Sequence, residues 1–228
     1  MTGSFQYPFN FAIQTELLFS NFFSSPANAP LLHFLRNFTR SNEHLGYLWG
    51  TRGRGKTHLL QALCQGSDRA VYIPLQQMLA YGPHTLDGLE TLDMIVLDDL
   101  QAVAGQKVWE EKLFELFNAV QASGGRLCFA ATDVLALLPL QLADLRSRLQ
   151  LCVSYEVLEC DDLLKALIIK LRAEQRGMEI KDDVMQYIML RNSRNLHDLM
   201  AVLDKLDTLS LAEQRRITIP FVKEIMRW

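Results

Sequence analysis

The chain is expected to fold as an α/β protein, a parallel sheet covered by helices on both faces and followed by a small all-helical lid subdomain. Three observations lead there. Short, continuous apolar runs alternate with helix-period segments from about residue 44 to about residue 133. Beyond about residue 159 the strand runs give way to helical patterns. Between the first strand run and the first helix pattern lies Gly50-Thr51-Arg52-Gly53-Arg54-Gly55-Lys56-Thr57, the complete G-x-x-x-x-G-K-[ST] phosphate-binding pattern.

Taken in order, "HLGYLWG" reads as a strand running into the glycine loop and "HLLQALCQ" as the helix that leaves it. "AVYIPL" (Ala70–Leu75) is a second strand and "DMIVLDDL" (Asp93–Leu100) a third. "KVWEEKLFELFNAVQASGG" sets Val108, Leu113, Leu116, Phe117 and Val120 at helical spacing and stops at Gly124-Gly125. "RLCFAATD" (Arg126–Asp133) is the fourth strand. "DDLLKALIIKLRAEQRG" then begins with acids, carries a Leu163/Leu164/Leu167/Ile168/Leu171 stripe and ends at Gly177. Helical segments follow at Asp182–Leu190 and Asn195–Ser210, the second with a Leu196/Leu199/Met200/Leu203/Leu206 core stripe. "IPFVKEIMRW" places Pro220 in a helix's first turn, and "RRITI" before it alternates as a strand would. The expected division is an N-terminal arm at 1–25, a nucleotide-binding domain at 26–158 and a helical lid at 159–228.

Composition narrows the function classes. With 49% hydrophobic and 21% charged residues in 228, the chain can bury a substantial core. A net charge of −3 argues against nucleic acid as the main partner. Cys64, Cys128, Cys152 and Cys160 show no C-x-x-C spacing, and the first three sit among apolar neighbours, as reduced buried thiols in a cytoplasm do. No basic residue precedes Arg36, so a secretory leader is not expected, and no apolar run approaches the roughly 18 residues of a membrane span.

The chemistry concentrates at the strand tips. In the stretch Gly50 to His58, glycines at 50, 53 and 55 let main-chain N–H groups approach an anion, with Arg52, Arg54 and His58 in the same cradle. Lys56 would reach the outer phosphates, and the Thr57 hydroxyl would ligate Mg2+. The acidic tip of the third strand supplies Asp98 for the metal and Asp99 to polarise an attacking water. Thr132-Asp133 ends the next strand, either orienting water or serving as a turn. Arg146 and Arg148 follow, either stabilising phosphoryl charge or standing as solvated arginines.

The phosphate loop, "VLDD", "ATD", "LRSRL" and the helical lid together resemble the AAA+ ATPases of the DnaA branch, over nearly the whole chain. "AVAGQKVWEEKLFELFN" and "RRITIPFVKEI" resemble the Hda type within it. The resemblance implies an ADP- or ATP-binding regulator of replication initiation. Such a protein joins the DNA-loaded sliding clamp, the DNA polymerase III beta subunit, and supplies an arginine finger to ATP on the DnaA initiator. DnaA is left in its inactive ADP form. The finger position is Arg148, and Arg146 carries no required role. The resemblance also implies an N-terminal clamp-binding peptide, for which "QYPFNF" offers Gln6, Phe9 and Phe11, with Tyr7 and Pro8 departing from the usual form. The alternative for this arm is packing on its own domain.

The lid position at which the family carries a nucleotide-sensing arginine holds His197, with Arg194 nearby, so intrinsic hydrolysis is expected to be weak. Phe19, Phe22 and Phe23 either cover the adenine, as the resemblance implies, or join the core. The pattern ends at Trp228 without a helix-turn-helix segment, so direct origin recognition is not expected, and contact with DNA would be through the clamp. Self-association into a homodimer is compatible with AAA+ faces. Two other functions stay open: an autonomous ATPase of the helicase-loader kind, and a non-enzymatic adaptor between clamp and DnaA.

Overall fold

The computed structural model describes residues 17–22, 26–159, 161–192 and 196–228. The first compact unit is built on a sheet. Its elements are α1 (Ala29–Asn37), β1 (Leu45–Trp49), α2 (Lys56–Cys64), β2 (Ala70–Pro74), α3 (Leu75–Met78), β3 (Met94–Asp98), α4 (Lys107–Ser123), β4 (Arg126–Ala131), α5 (Ala143–Leu149) and β5 (Val153–Glu156). Spatial order is β2-β3-β4-β1-β5, and every neighbouring pair is parallel.

Period-2 alternation sends each strand's side chains to two cores. Tyr47, Ile95, Leu97, Leu127 and Phe129 face one side, where Leu113, Phe117 and Val120 of α4 and Leu145 and Leu149 of α5 cover them. Leu48, Val96, Cys128 and Ala130 face the other, beneath Leu31, Leu35 and Phe38 around α1 and Leu59, Leu60 and Leu63 of α2. Both faces of β3 and β4 are covered, which explains their unbroken apolar sequence. Each large side chain so enclosed contributes about 1.5–3 kcal/mol. Because all five strands run one way, the residues after β1, β3 and β4 emerge at a common sheet edge, where open α/β sheets hold ligands.

In this first unit the sequence expectation needs three corrections. β5 adds a fifth strand: its side chains are only partly covered, and pairing with β1, not an apolar run of its own, makes it a strand. α1 was not anticipated; Leu31, Leu32, Phe34 and Leu35 give it a buried face. In α4 the helix turns Val108 outward, 63% exposed, and buries Trp109 and Glu110 instead.

The second unit runs from Leu158 and includes 26–28 and 52–54. Its helices are α6 (Asp162–Gln175), α7 (Asp182–Arg191), α8 (Leu196–Glu213) and α9 (Ile219–Met226). Asp161 caps α6 by accepting from Leu164 N–H at 2.7 Å. The core holds Ile169, Val184, Ile188, Leu199, Leu203, Leu206, Phe221 and Val222, so three residues of the expected α8 stripe are inside, with Leu196 and Met200 partly buried against them. α6 is rotated from the stripe read in its sequence: Ile168, Ile169 and Ala173 are buried, and Leu163 is 84% exposed. "RRITI" forms no strand; Ile217 enters the core, and the Thr218 hydroxyl caps α9 by accepting from Phe221 N–H. Among the described residues, no helix is long and apolar enough to cross a membrane.

Candidate nucleotide site

The loop between β1 and α2 takes the backbone that its glycines permit. Gly50, Gly53 and Gly55 have φ of 150°, 84° and 89°. Gly55 is the N-cap of α2 and offers no side-chain cap, so that helix start keeps its N–H groups for an anion. A Cβ at Gly55 would lie 2.6 Å from Cε2 of Phe22, so the chain segment before α1 closes tightly on the loop. Arg52 and Arg54 lie within that loop.

Lys56 opens α2 and is only 7% exposed. Its ammonium donates to the carbonyls of Gly50 (2.6 Å) and Thr51 (3.0 Å), spanning the base of the loop. The next residue, Thr57, donates its hydroxyl to Asp98 Oδ2 at 2.6 Å. Asp98 is 1% exposed at the tip of β3. It also accepts from the Tyr72 hydroxyl at 2.9 Å and, on Oδ1, from the Asp99 N–H at 2.9 Å. Burial pushes the Asp98 carboxyl above the ordinary carboxylate range, aided by the neighbouring charge of Asp99 and opposed by the bonds from Thr57 and Tyr72. Burial and the Asp98 charge likewise raise the Tyr72 phenol.

This donor set fits a hard divalent cation. Thr57 hydroxyl and Asp98 carboxylate oxygens converge, all-oxygen and few, which suits Mg2+ because it retains waters and borrows phosphate oxygens. No group of three or more His, Cys, Asp or Glu side chains among the described residues could hold a metal alone. The expectation of structural cysteines stands for three: Cys64, Cys128 and Cys152 are free and buried.

Asp99 adopts left-handed backbone, φ 58° and ψ 44°, uncommon for a residue other than glycine. That kink points the chain out of β3 and leaves the Asp99 carboxylate accepting from Gln101 Nε2 at 2.9 Å. Gln101 Oε1 in turn accepts from Thr132 N–H at 3.1 Å, so one amide side chain ties the tips of β3 and β4. The sequence reading missed Gln101, because a glutamine two residues after an acid has no motif signal. Thr132 donates its hydroxyl to Asp133 Oδ2 (2.7 Å), and the Asp133 carbonyl accepts from the Tyr47 hydroxyl (2.6 Å). Asp133 is therefore placed next to the Gln101 bridge, at the same edge as Asp98 and Asp99.

His58 meets the chain segment before α1. Nε2 is 2.8 Å from the Leu18 carbonyl, and the ring meets Phe22 edge-on at 5.3 Å. Phe19 and Phe22 pack against the α1/α2 core, and Phe23 lies outside the described residues.

The two arginines of α5 differ. Arg146 is exposed and donates to the Leu140 carbonyl at the helix's own entrance. Arg148 is half-buried, with no hydrogen bond or ion pair from its guanidinium among the described residues. It borders a hollow of about 350 Å³ with Phe114, Asp144, Ser147 and Leu151. His197 falls in the first turn of α8, while Arg194 and the arm residues Gln6, Phe9 and Phe11 lie outside the described residues.

Comparison with known proteins bears on this arrangement. Residues 162–226 match the family model described as Hda, lid domain. The chain is similar to domain III of the replication initiation protein DnaA of Thermotoga maritima, with a TM-score of 0.78 and 21% identity over 93% of this chain and 96% of that one. AMPPCP-bound DnaA from Aquifex aeolicus superposes with a TM-score of 0.70 at 21% identity, over 89% of this chain and 68% of that one. A Thermotoga maritima RuvB variant reaches 0.66 at 20% identity, over 88% and 67%. The sheet unit thus has the AAA+ fold of DnaA domain III, and with residues 162–226 matching the Hda lid family the chain is similar to DnaA-related AAA+ proteins of the Hda type.

Proposed function

We propose that this protein is a nucleotide-dependent regulator of replication initiation that stimulates hydrolysis of ATP bound to DnaA by supplying Arg148 in trans. The observation that carries this reading is the state of Arg148: half-buried on α5, bordering one hollow with the exposed Leu151, and without a hydrogen-bond or ion-pair partner among the described residues. Arg146, by contrast, spends its guanidinium on the Leu140 carbonyl of its own domain. A guanidinium delivered to the γ-phosphate of a neighbouring subunit stabilises transition-state charge, an effect of about 10³–10⁵ in rate.

The protein's own site would bind ADP or ATP, a reading supported by the AMPPCP complex of the structurally similar Aquifex DnaA. Main-chain N–H groups from Gly50 to His58 and the Lys56 ammonium would hold the phosphates, and Arg52 and Arg54 would flank them. Thr57 and Asp98 would hold Mg2+, which, when bound, offsets phosphate charge. Asp133 would face the outer phosphate, and His197 would stand in the lid without an arginine's constant charge. Asp99 is already engaged by Gln101, which fits weak intrinsic hydrolysis. Gln6, Phe9 and Phe11 would tether the protein to the sliding clamp, and DNA would be reached through the clamp. DnaA is the partner favoured by the Hda-type lid. The setting would be the cytoplasm, where a homodimer could compete with the productive complex.

The deciding experiment follows ATP loss from DnaA-ATP with this protein and clamp loaded on DNA. Arg148→Ala should abolish stimulation with nucleotide and clamp binding intact, and Arg146→Ala should retain it. Equal stimulation by Arg148→Ala would refute finger donation and leave the adaptor reading. The Asp98–Asp99 pair favours one other function, an autonomous ATPase. For that reading, hydrolysis of free ATP should persist without DnaA and vanish in Lys56→Ala.

A further inference from the structure

We infer that Glu110 is the positioning residue for Arg148, fixing where α5 begins and hence where its guanidinium is presented; this rests on the finger role proposed above. Glu110 lies one turn into α4 and is 0% exposed. No cation accompanies it among the described residues. Its carboxylate is instead held by three main-chain donors: Gly105 N–H at 2.6 Å on Oε1, Leu142 N–H at 2.6 Å on Oε2, and Gln141 N–H shared between the two oxygens at 3.2 and 2.9 Å.

A buried carboxylate without a counter-cation is costly, and hydrogen bonds to it are the strong, short kind that can offset the cost. An apolar side chain in the same space would leave three main-chain N–H groups without acceptors, so the reason for the carboxylate lies in its bonds. Those bonds join two loops that sequence keeps apart. Residues 99–106 leave the Asp98–Asp99 tip of β3, and residues 138–142 lead into α5. Gln141 closes the same junction in reverse, donating Nε2 to the Gly105 carbonyl at 3.0 Å.

α5 has only 7 residues. A helix that short is marginal by itself, so tertiary bonds decide where it starts. Leu142 is its N-cap and provides no side-chain cap, but its carbonyl accepts the first helical bond, from Arg146 N–H at 3.1 Å. Glu110 holds the N–H of that same Leu142. Buried Leu145 and Leu149 set the rotation of α5 about its axis, since both enter the sheet core. Glu110 sets its position along that axis. Rotation and translation together place residue 148, one residue before Leu149 and three after Leu145.

A carboxylate suits this task better than its amide. Every group facing Glu110 is an N–H donor, and Glu110→Gln would turn one acceptor oxygen into a donor against them. Fold and size are kept, but the α5 entrance loses one anchor.

The test uses the full-length protein with DnaA-ATP and clamp loaded on DNA. Glu110→Gln should lower the maximal stimulated rate about 10- to 100-fold, as small misplacements of a catalytic group do. ADP affinity and clamp binding should stay within about twofold, and Glu110→Asp, shorter but still charged, should recover part of the rate. Full stimulation by Glu110→Gln overturns the inference while Arg148 keeps its role. Parallel loss of ADP binding or of the folded state also overturns it, by making Glu110 a general fold residue. If Arg148→Ala alone stimulates like wild type, finger donation and this inference fall together, and that single variant identifies the cause.

Discussion

Thr57 Oγ1 donates to Asp98 Oδ2 at 2.6 Å across 41 residues of sequence, closing the phosphate loop against the tip of β3. The acceptor is a carboxyl whose affinity for its proton is raised, chiefly by burial. Between the ordinary carboxylate pKa and this raised value, the folded protein keeps a proton that the unfolded chain has lost. Stability is therefore greater below that window and falls as pH rises through it. In the absence of nucleotide and Mg2+, the Tm should drop across that window, and Asp98→Asn should flatten the drop. Stabilisation by Mg-ADP should grow over the same range as Asp98 gives up its proton. Thermal melts at a series of pH values, with and without Mg-ADP, measure both trends, and an unchanged slope in Asp98→Asn would count against Asp98.

Lys56 sits at 7% exposure with its ammonium on two loop carbonyls. Lys56→Ala removes the buried positive charge that phosphate would meet. Hydrogen bonds to charged groups contribute about 1.5–3 kcal/mol, so ADP affinity should fall roughly 10- to 150-fold. Titration calorimetry with Mg-ADP reads this directly, and an affinity within about twofold of wild type would contradict it.

Most of the sheet was legible because its buried strands carry their own signal. β3 and β4 are covered on both faces, so they read as apolar runs whatever their neighbours. β5 was illegible for the opposite reason: an edge strand of four residues is defined by pairing with β1. Around the glycine loop, Lys56 and Thr57 were read from the loop's own spacing and Asp98 from the acid that ends an apolar strand, and the structure brings Thr57 and Asp98 within hydrogen-bond distance. Gln101 and Glu110 carried no such signal. Glu110 stands beside Glu111 in sequence, as two acids on a helix do, and only tertiary packing distinguishes the enclosed one from the half-exposed one. Leu163 and Leu167 misled similarly, since a leucine stripe at helical spacing does not say which face is covered.

Gly55 combines a φ of 89° with a close approach by Phe22. Gly55→Ala should therefore be destabilising on two separable grounds. Left-handed backbone costs a residue with a Cβ about 1–2 kcal/mol. The new methyl must also displace the Phe22 ring, 2.6 Å away. Phe22→Ala should relieve the steric part and leave the backbone part, so the double variant should be more stable than the sum of the single losses. Denaturant melts of the four proteins form the cycle, and strict additivity would rule out the Phe22 contact.

Burial raises all three described thiols, Cys64 and Cys152 to about 12 and Cys128 well above its ordinary value. At pH 8 a thiol of pKa about 12 is roughly one part in ten thousand thiolate, the reactive form. Low access compounds low reactivity, since Cys64 ends α2 with its side chain buried in the core shared with α1, and Cys128 is enclosed within β4. Iodoacetamide at pH 8 should therefore leave Cys64, Cys128 and Cys152 unmodified in the native state over hours. Their labelling should appear together across the denaturant midpoint of the sheet unit, because all three lie within it. Site-resolved mass spectrometry separates them from Cys160. Rapid native labelling of Cys128 would mean that the sheet opens locally between β1 and β4, which is incompatible with a strand covered on both faces.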